Sequence, residues 1–170
     1  MLRRKEAVLC CAALALIACS CWASVQHPVV SSCQSEPSLV TIHNLSIEDA
    51  KVGRNMTIHY VGELHEVLHG PLITKFTMWN SNGLKMPCVQ DMGSCTYKGC
   101  DGESDMEKTI GEPWKNTCPI PAGVYASRLV FFIHPIIKAV LANGTFKVRM
   151  DVTSGDVKVH CRVLDVHIEK

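Results

Sequence analysis

The side chains able to do chemistry are spaced in ways that favour covalent cross-links over catalysis. His59, His65 and His69 are neighbours in sequence, but along an extended strand separations of six and four residues put them about 20 and 13 Å apart, too far to share one metal ion. Asp101, Glu103 and Asp105 alternate like the first half of a calcium loop, yet Met106 stands where the sharp turn of such a loop needs glycine. Serines and histidines occur without a G-x-S-x-G elbow or another nucleophile signature. These spacings leave no catalytic residue, no metal and no cofactor, and the expectation is a protein that is not an enzyme.

Cysteine carries more information. Of the ten, Cys10, Cys11, Cys19 and Cys21 fall in a segment with the form of an export leader. Arg3, Arg4 and Lys5 precede an apolar stretch from Ala7 to Ala18, and Cys21-Trp22-Ala23 ends on small residues suited to cleavage. That stretch is too short to span a bilayer. The organisation expected is a signal peptide over residues 1–23 and one domain over 24–170, about 147 residues. Cys33, Cys88, Cys95, Cys100, Cys118 and Cys161 remain. Six cysteines in an exported domain imply three disulfides, with 15 possible pairings, and without a C-x-x-C pair a zinc site is not favoured. The acceptor triplets at Asn44, Asn55 and Asn143 suit N-glycosylation in the same compartment.

Arg3, Arg4, Lys5 and Glu6 leave with the leader, so 17 cations against 16 anions become 14 against 15. A net charge of −1 excludes a nucleic-acid binder acting through bulk charge. All eight histidines lie beyond the leader, so acidification to pH ~5 would move the balance from −1 toward +7 if each had an ordinary pKa.

The elements that must position everything else read as strands. Apolar and polar residues alternate over Leu39 to Asn44, Met56 to Leu64, Leu72 to Trp79, Val124 to Ile133, Thr145 to Val152 and Val157 to Ile168. Gly62 suggests a bulge. Asn80-Ser81-Asn82-Gly83 marks a turn before a further short strand at Leu84 to Cys88, and Thr153-Ser154-Gly155-Asp156 joins the last two strands as a hairpin. From Val89 to Pro121 no period persists and three cysteines occur, which reads as a long disulfide-pinned loop. Six to eight short strands with almost no helical period predict an all-β antiparallel sandwich.

Leu129 to Leu141 breaks the pattern, because large apolar residues occupy consecutive positions and Pro135 stops a strand ladder. One reading is a core strand followed by a one-turn helix. The other is that some of Phe131, Phe132, Ile133, Ile136, Ile137, Val140 and Leu141 line an apolar cavity or its mouth, where a ligand completes their burial.

Pro87-Cys88-Val89-Gln90-Asp91-Met92-Gly93-Ser94-Cys95-Thr96-Tyr97, Cys100-Asp101, Asp105-Met106, Gly111-Glu112-Pro113, Cys118-Pro119 and Gly123-Val124-Tyr125 together resemble the ML lipid-recognition family, nearest its ganglioside-activator branch. The resemblance continues through Gly53 to Thr57, Tyr60-Val61-Gly62 and Pro71-Leu72, and through Asn143-Gly144-Thr145-Phe146 to Cys161. It implies an immunoglobulin-like sandwich opened into a lipid-binding β-cup, and the pairings Cys33–Cys161, Cys88–Cys95 and Cys100–Cys118. One loop departs from the branch: Trp114 follows Gly111-Glu112-Pro113 where an additional nested disulfide would stand, and the loop is shorter before Cys118. That change argues against a lysosomal hexosaminidase, or another lysosomal glycosidase, as partner.

The function expected on these grounds is lipid binding and transfer without covalent chemistry, by a secreted or lysosomal-lumen protein that touches membranes transiently. Its cargo would be a glycolipid, phospholipid or other amphiphile. Phe76, Met78, Tyr125, Leu129, Val148 and Met150 are the expected cavity wall, and Trp114, Phe131, Phe132, Ile136 and Ile137 the expected mouth or membrane contact, with Trp79 able to join either group. Two alternatives use the same frame: an immune recognition module or receptor ligand, and a disulfide-rich protease inhibitor that docks through Val89 to Pro121.

Overall fold

The computed structural model describes residues 24–35 and 37–170, and the leader expected at 1–23 lies outside them. The strands are β1 (Val25–Gln26), β2 (Ser31–Ser32), β3 (Val40–Glu48), β4 (Asn55–Leu64), β5 (Leu72–Asn80), β6 (Thr96–Lys98), β7 (Gly123–Phe132), β8 (Thr145–Ser154) and β9 (Val157–His167), with one α-helix, α1 (Asp105–Gly111). They form two antiparallel sheets in the orders β1-β3-β4-β7 and β2-β9-β8-β5-β6. The short β1 and β2 pair with β3 and β9, so the N-terminal chain crosses from one sheet to the other.

Period two decides which side chains enter the space between the sheets. On β4, Met56, Ile58, Tyr60, Gly62 and Leu64 face inward, and on β8 Phe146, Val148, Met150 and Val152 do the same, while Lys147, Arg149 and Asp151 take the other face. On that outer face Arg149 forks onto the Asp151 carboxylate at 2.7 and 2.9 Å. The bulge suggested at Gly62 falls on the strand opposite. Ile42 pairs with Gly62 and Asn44 with Val61, leaving His43 of β3 as the extra residue. A second bulge leaves Val159 unpaired in β9, since Val152 pairs with His160 and Thr153 with Lys158.

The stretch from Val89 to Pro121 is not the loop its composition suggested. It contains β6, α1 and a 3-10 turn at Glu112–Trp114. Ser104 and Glu107 form a reciprocal capping box, the Ser104 hydroxyl accepting from the Glu107 N–H and the Glu107 carboxylate from the Ser104 N–H. Leu84 to Cys88 forms isolated bridges rather than a strand. Pro135–Ala139 is a 3-10 turn, as the packing reading of that segment anticipates.

Three disulfides join Cys33 to Cys161, Cys88 to Cys95 and Cys100 to Cys118. The buried core divides into a cluster around Ile47, Ile133, Leu141, Phe146 and Ile168 at one end of the sandwich, one around Leu64, Leu68, Leu72, Ile120 and Val159 at the other, and a third of Cys95, Tyr97, Ile110 and Leu129 where β6 and α1 meet β7.

Candidate functional site

Between the two end clusters the sheets do not close fully on each other. They enclose an apolar cavity of about 260 Å³. Its walls are inward-facing strand residues of both sheets, and several remain only half-buried although no polar surface competes for their place: Ile58, Tyr60 and Phe131 on one sheet, Phe76, Val148 and Met150 on the other. In a closed sandwich these positions would be core.

Phe76, Met78, Tyr125, Leu129, Val148 and Met150 all line the cavity. The residues assigned to a mouth separate into three environments. Phe131 and Trp114 are wall residues. The Trp114 indole N–H donates to the Gly99 carbonyl at 2.6 Å, and its ring meets Tyr125 edge-on with centroids 5.8 Å apart, so it closes the wall and does not project toward a membrane. Ile137 is buried core. Phe132 and Ile136, 49% and 61% exposed, alone of the five stand at the surface. Trp79 lies half-buried on the outer face of β5 and does not line the cavity.

A second, smaller apolar hollow lies between the Cys88–Cys95 loop and the turn at Pro135–Ala139, bounded by Met86, Val89, Ile136 and Val140. Met78, Met92 and Gly93 line both spaces and form the partition. Gly93 has φ +103°, and a β-carbon there would overlap the Pro87 carbonyl oxygen, so the partition requires glycine.

Sequence reasoning missed α1, which supplies Ile110 to the cavity wall. Its signal was Ser104-Asp105-Met106-Glu107, a capping-box spacing ahead of Ile110. Glu107 also ties the helix to β6, accepting from the Lys98 N–H at 2.9 Å. That bond and those from Ser104 and Glu103 hold its carboxyl down at about 2, well below the ordinary value of 4.5. A depressed folded-state pKa contributes stability above the unfolded-state value and loses it as pH falls toward the folded one. The wild-type chain is therefore expected to keep α1 docked at pH 5 and to lose stability from about pH 4.5 down toward 2, and Glu107→Gln to flatten part of that loss. Denaturation melts at pH 7, 5 and 3 check both, and an identical acid response in the two proteins would contradict the assignment.

Besides the hydroxyls of Tyr60, Thr74 and Tyr125, polar groups line the cavity at two places. At the β6 edge the Tyr97 hydroxyl donates to Asp91 Oδ1 at 3.1 Å, and burial together with that carboxylate raises the phenol pKa. On the inner face of β9 lie His160 and Arg162. Burial, with the Arg162 charge beside it, pushes the His160 imidazole down to about 4, so it stays neutral at pH 5 and the acid charge swing is one smaller than eight ordinary histidines would give.

Among the described residues no three His, Cys, Asp or Glu side chains are grouped to hold a metal ion, and no helix is long and apolar enough to cross a membrane. Val89 to Pro121 folds partly into the cavity wall, which removes much of the free docking loop that the inhibitor alternative needs.

No protein-family model matches the chain. It is similar to the ganglioside GM2 activator of Macaca fascicularis, 21% identical over 140 residues with 74% of each chain covered, in line with the resemblance carried by the cysteine-loop motifs. Among solved structures, the C-terminal domain of wzt superposes with a TM-score of 0.49 at 8% identity, covering 84% of this chain and 78% of that one. A Niemann-Pick type C2 protein from the Japanese carpenter ant gives 0.44 at 11% identity, covering 86% and 92%.

Proposed function

We propose that the protein binds the acyl portion of an amphiphile between its two sheets and carries it between membranes, without covalent chemistry. The observation that carries this reading is the set of inward-facing apolar side chains, Phe76, Val148 and Met150 among them, left half-exposed around a cavity inside the fold. Apolar surface of that kind is stabilised when a ligand removes it from water. The similarity to a ganglioside GM2 activator supports a lipid as that ligand.

Each methylene moved from water into such a cavity contributes about 0.8 kcal/mol, so twelve give roughly 10 kcal/mol before ordering costs. A bilayer offers the same chain nearly the same energy. A carrier therefore acts on the rate, by touching the bilayer through exposed apolar residues while the chain moves. Phe132, Ile136 and Val89, the last 43% exposed, are suited to that contact. Replacing Phe132 and Ile136 together by serine is expected to slow extraction of a fluorescent lipid from vesicles about tenfold or more, each side chain being worth up to ~1.5–3 kcal/mol of burial. Affinity for the same lipid presented below its aggregation concentration should stay unchanged, and a parallel loss of affinity would place these residues in the cavity instead.

Three disulfides suit an oxidising destination, secreted or lysosomal, and the exposed Asn44, Asn55 and Asn143 are available as glycan acceptors there. The direct test is titration with a fluorescent acyl probe bearing an uncharged head. Saturation at one probe per chain, competed by unlabelled lipid, is the expected result, and absence of saturable binding would overturn the reading.

A further inference from the structure

The inner face of β9 should carry apolar residues along its length, and toward its C-terminal end it does, with Leu164 and Val166. Two positions earlier in the same phase stand Arg162, opposite Met150, and His160, opposite Val152. A cation facing an apolar cavity costs free energy unless something compensates it.

Arg162 is half-buried, and the protein's own groups satisfy only part of it. Its Nη1 donates to Ser32 Oγ at 3.3 Å and to the Cys161 carbonyl at 2.9 Å, and its Nη2 donates to the Val40 carbonyl at 3.4 Å. These bonds span from the edge of one sheet to β3 of the other. A guanidinium has five N–H groups, so Nε–H and one Nη2–H are left to donate to a carboxylate or phosphate. The ion pairs of the described residues involve His43, Lys51, His59, Arg149 and Lys158, and none involves Arg162.

His160 is the second, independent observation. It is 1% exposed and lines the same cavity, its Nδ1 lies 2.7 Å from Ser38 Oγ, and its Nε2 is buried with no hydrogen-bond partner. A buried polar atom left without a partner marks a place where a missing one belongs. The Ser38 hydroxyl donates to the Val40 carbonyl at 2.8 Å, so its oxygen accepts from Nδ1–H and Nε2 is left as a bare acceptor that meets a hydroxyl.

We propose that the cavity is built for an amphiphile whose polar end carries a negative charge and a hydroxyl, the anion held by the free N–H groups of Arg162 and the hydroxyl donating to His160 Nε2. The inference rests on the acyl-binding reading and adds the headgroup class to it. From β9 to β6 is three strand spacings, about 14 Å, so a chain whose head sits on Arg162 runs across the sheet beneath Met150 and Phe76 toward Tyr97 at the far edge. The Asp91 carboxylate at that edge, which accepts from the Tyr97 hydroxyl, disfavours an anionic head there and so favours one polarity of the bound molecule.

The test compares hexadecanoate, hexadecyl phosphate and uncharged methyl hexadecanoate on the full exported chain at pH 7, with inorganic phosphate as a control for the head alone. The wild-type protein is expected to bind at least one of the two anions ten-fold or more tightly than the ester, and which one names the headgroup. Arg162→Met, which keeps an apolar stem, should abolish that preference and bring the anions and the ester to similar affinity. Equal affinity of the wild type for anions and ester overturns the proposal while leaving acyl binding intact, and needs no variant to fold. Equal weakening of all three ligands by Arg162→Met would make Arg162 a structural clasp and also overturn it. Binding of inorganic phosphate alone as tightly as of the lipids would make it a free-anion site, and absence of binding by every lipid would overturn the acyl-binding reading as well.

Discussion

Val148→Trp should leave the protein folded and weaken lipid binding by about two orders of magnitude. Val148 is half-buried on β8, faces the cavity and sits between Met78 on β5 and Leu164 on β9. In a closed core an indole in place of an isopropyl group would overpack and cost roughly 1–3 kcal/mol. Here the additional volume has an empty space of about 260 Å³ to occupy. The indole then takes room from the ligand. Excluding about four methylenes removes about 3 kcal/mol of transfer free energy, a factor of roughly 200 in affinity. Paired measurements of melting temperature and probe affinity check this. A melting temperature unchanged or raised with binding lost is the expected pattern. Binding retained at wild-type strength would mean that the chain does not lie against β8.

The second large effect belongs to the cross-link between the first and last parts of the fold. Cys33 and Cys161 are separated by 128 positions, against 7 for Cys88–Cys95 and 18 for Cys100–Cys118. In the chain-entropy account these separations correspond to about 5, 2 and 3 kcal/mol of destabilisation of the unfolded chain. Replacing Cys33 and Cys161 by serine is therefore expected to lower the melting temperature by on the order of 10–20 °C, the Cys100–Cys118 pair by less, and the Cys88–Cys95 pair by least. The consequence reaches the site, because β2 pairs with β9 at Ser31–Val163 and Ser32–Arg162, next to the bond. Thermal denaturation of the three double variants ranks them. A larger loss from the Cys88–Cys95 pair would show that its loop contributes more through packing than the Cys33–Cys161 bond contributes through chain entropy.

What was legible in the sequence was whatever period two controls. Phe76 and Met78 on β5, Leu129 on β7, and Val148 and Met150 on β8 line the cavity because alternation assigns each to the inner face. Less legible were features that break the period. In β9 the apolar residues Val157, Val159, Cys161 and Val163 occupy odd positions, and Leu164, Val166 and Ile168 even ones. From His160 onward the even positions face the cavity, because the bulge at Val159 shifts the phase of the strand, and this brings His160 and Arg162 inward although the apolar pattern around them points the other way. The helix was hidden for a different reason. At seven residues α1 is too short to show a helical period, and only its cap announces it. Trp114, Phe131 and Ile137 look alike as large apolar residues in irregular sequence, and only their tertiary surroundings separate wall from core.

Glu107 and Trp114 share a physical role. Each is a polar or amphipathic group whose hydrogen bonds stitch an edge of the sandwich: Glu107 from α1 to β6, and Trp114 to Gly99. Held in this way, the sheet edges maintain a cavity that hydrophobic collapse would otherwise tend to close.

The most direct measurement of the central claim is native mass spectrometry, with extraction and profiling of bound lipid, on the protein secreted from eukaryotic cells, before and after incubation with mixed vesicles. The account predicts a single amphiphile on each chain that exchanges with vesicle lipid. A protein with all six cysteines paired that emerges empty and takes up nothing from the vesicles would contradict it.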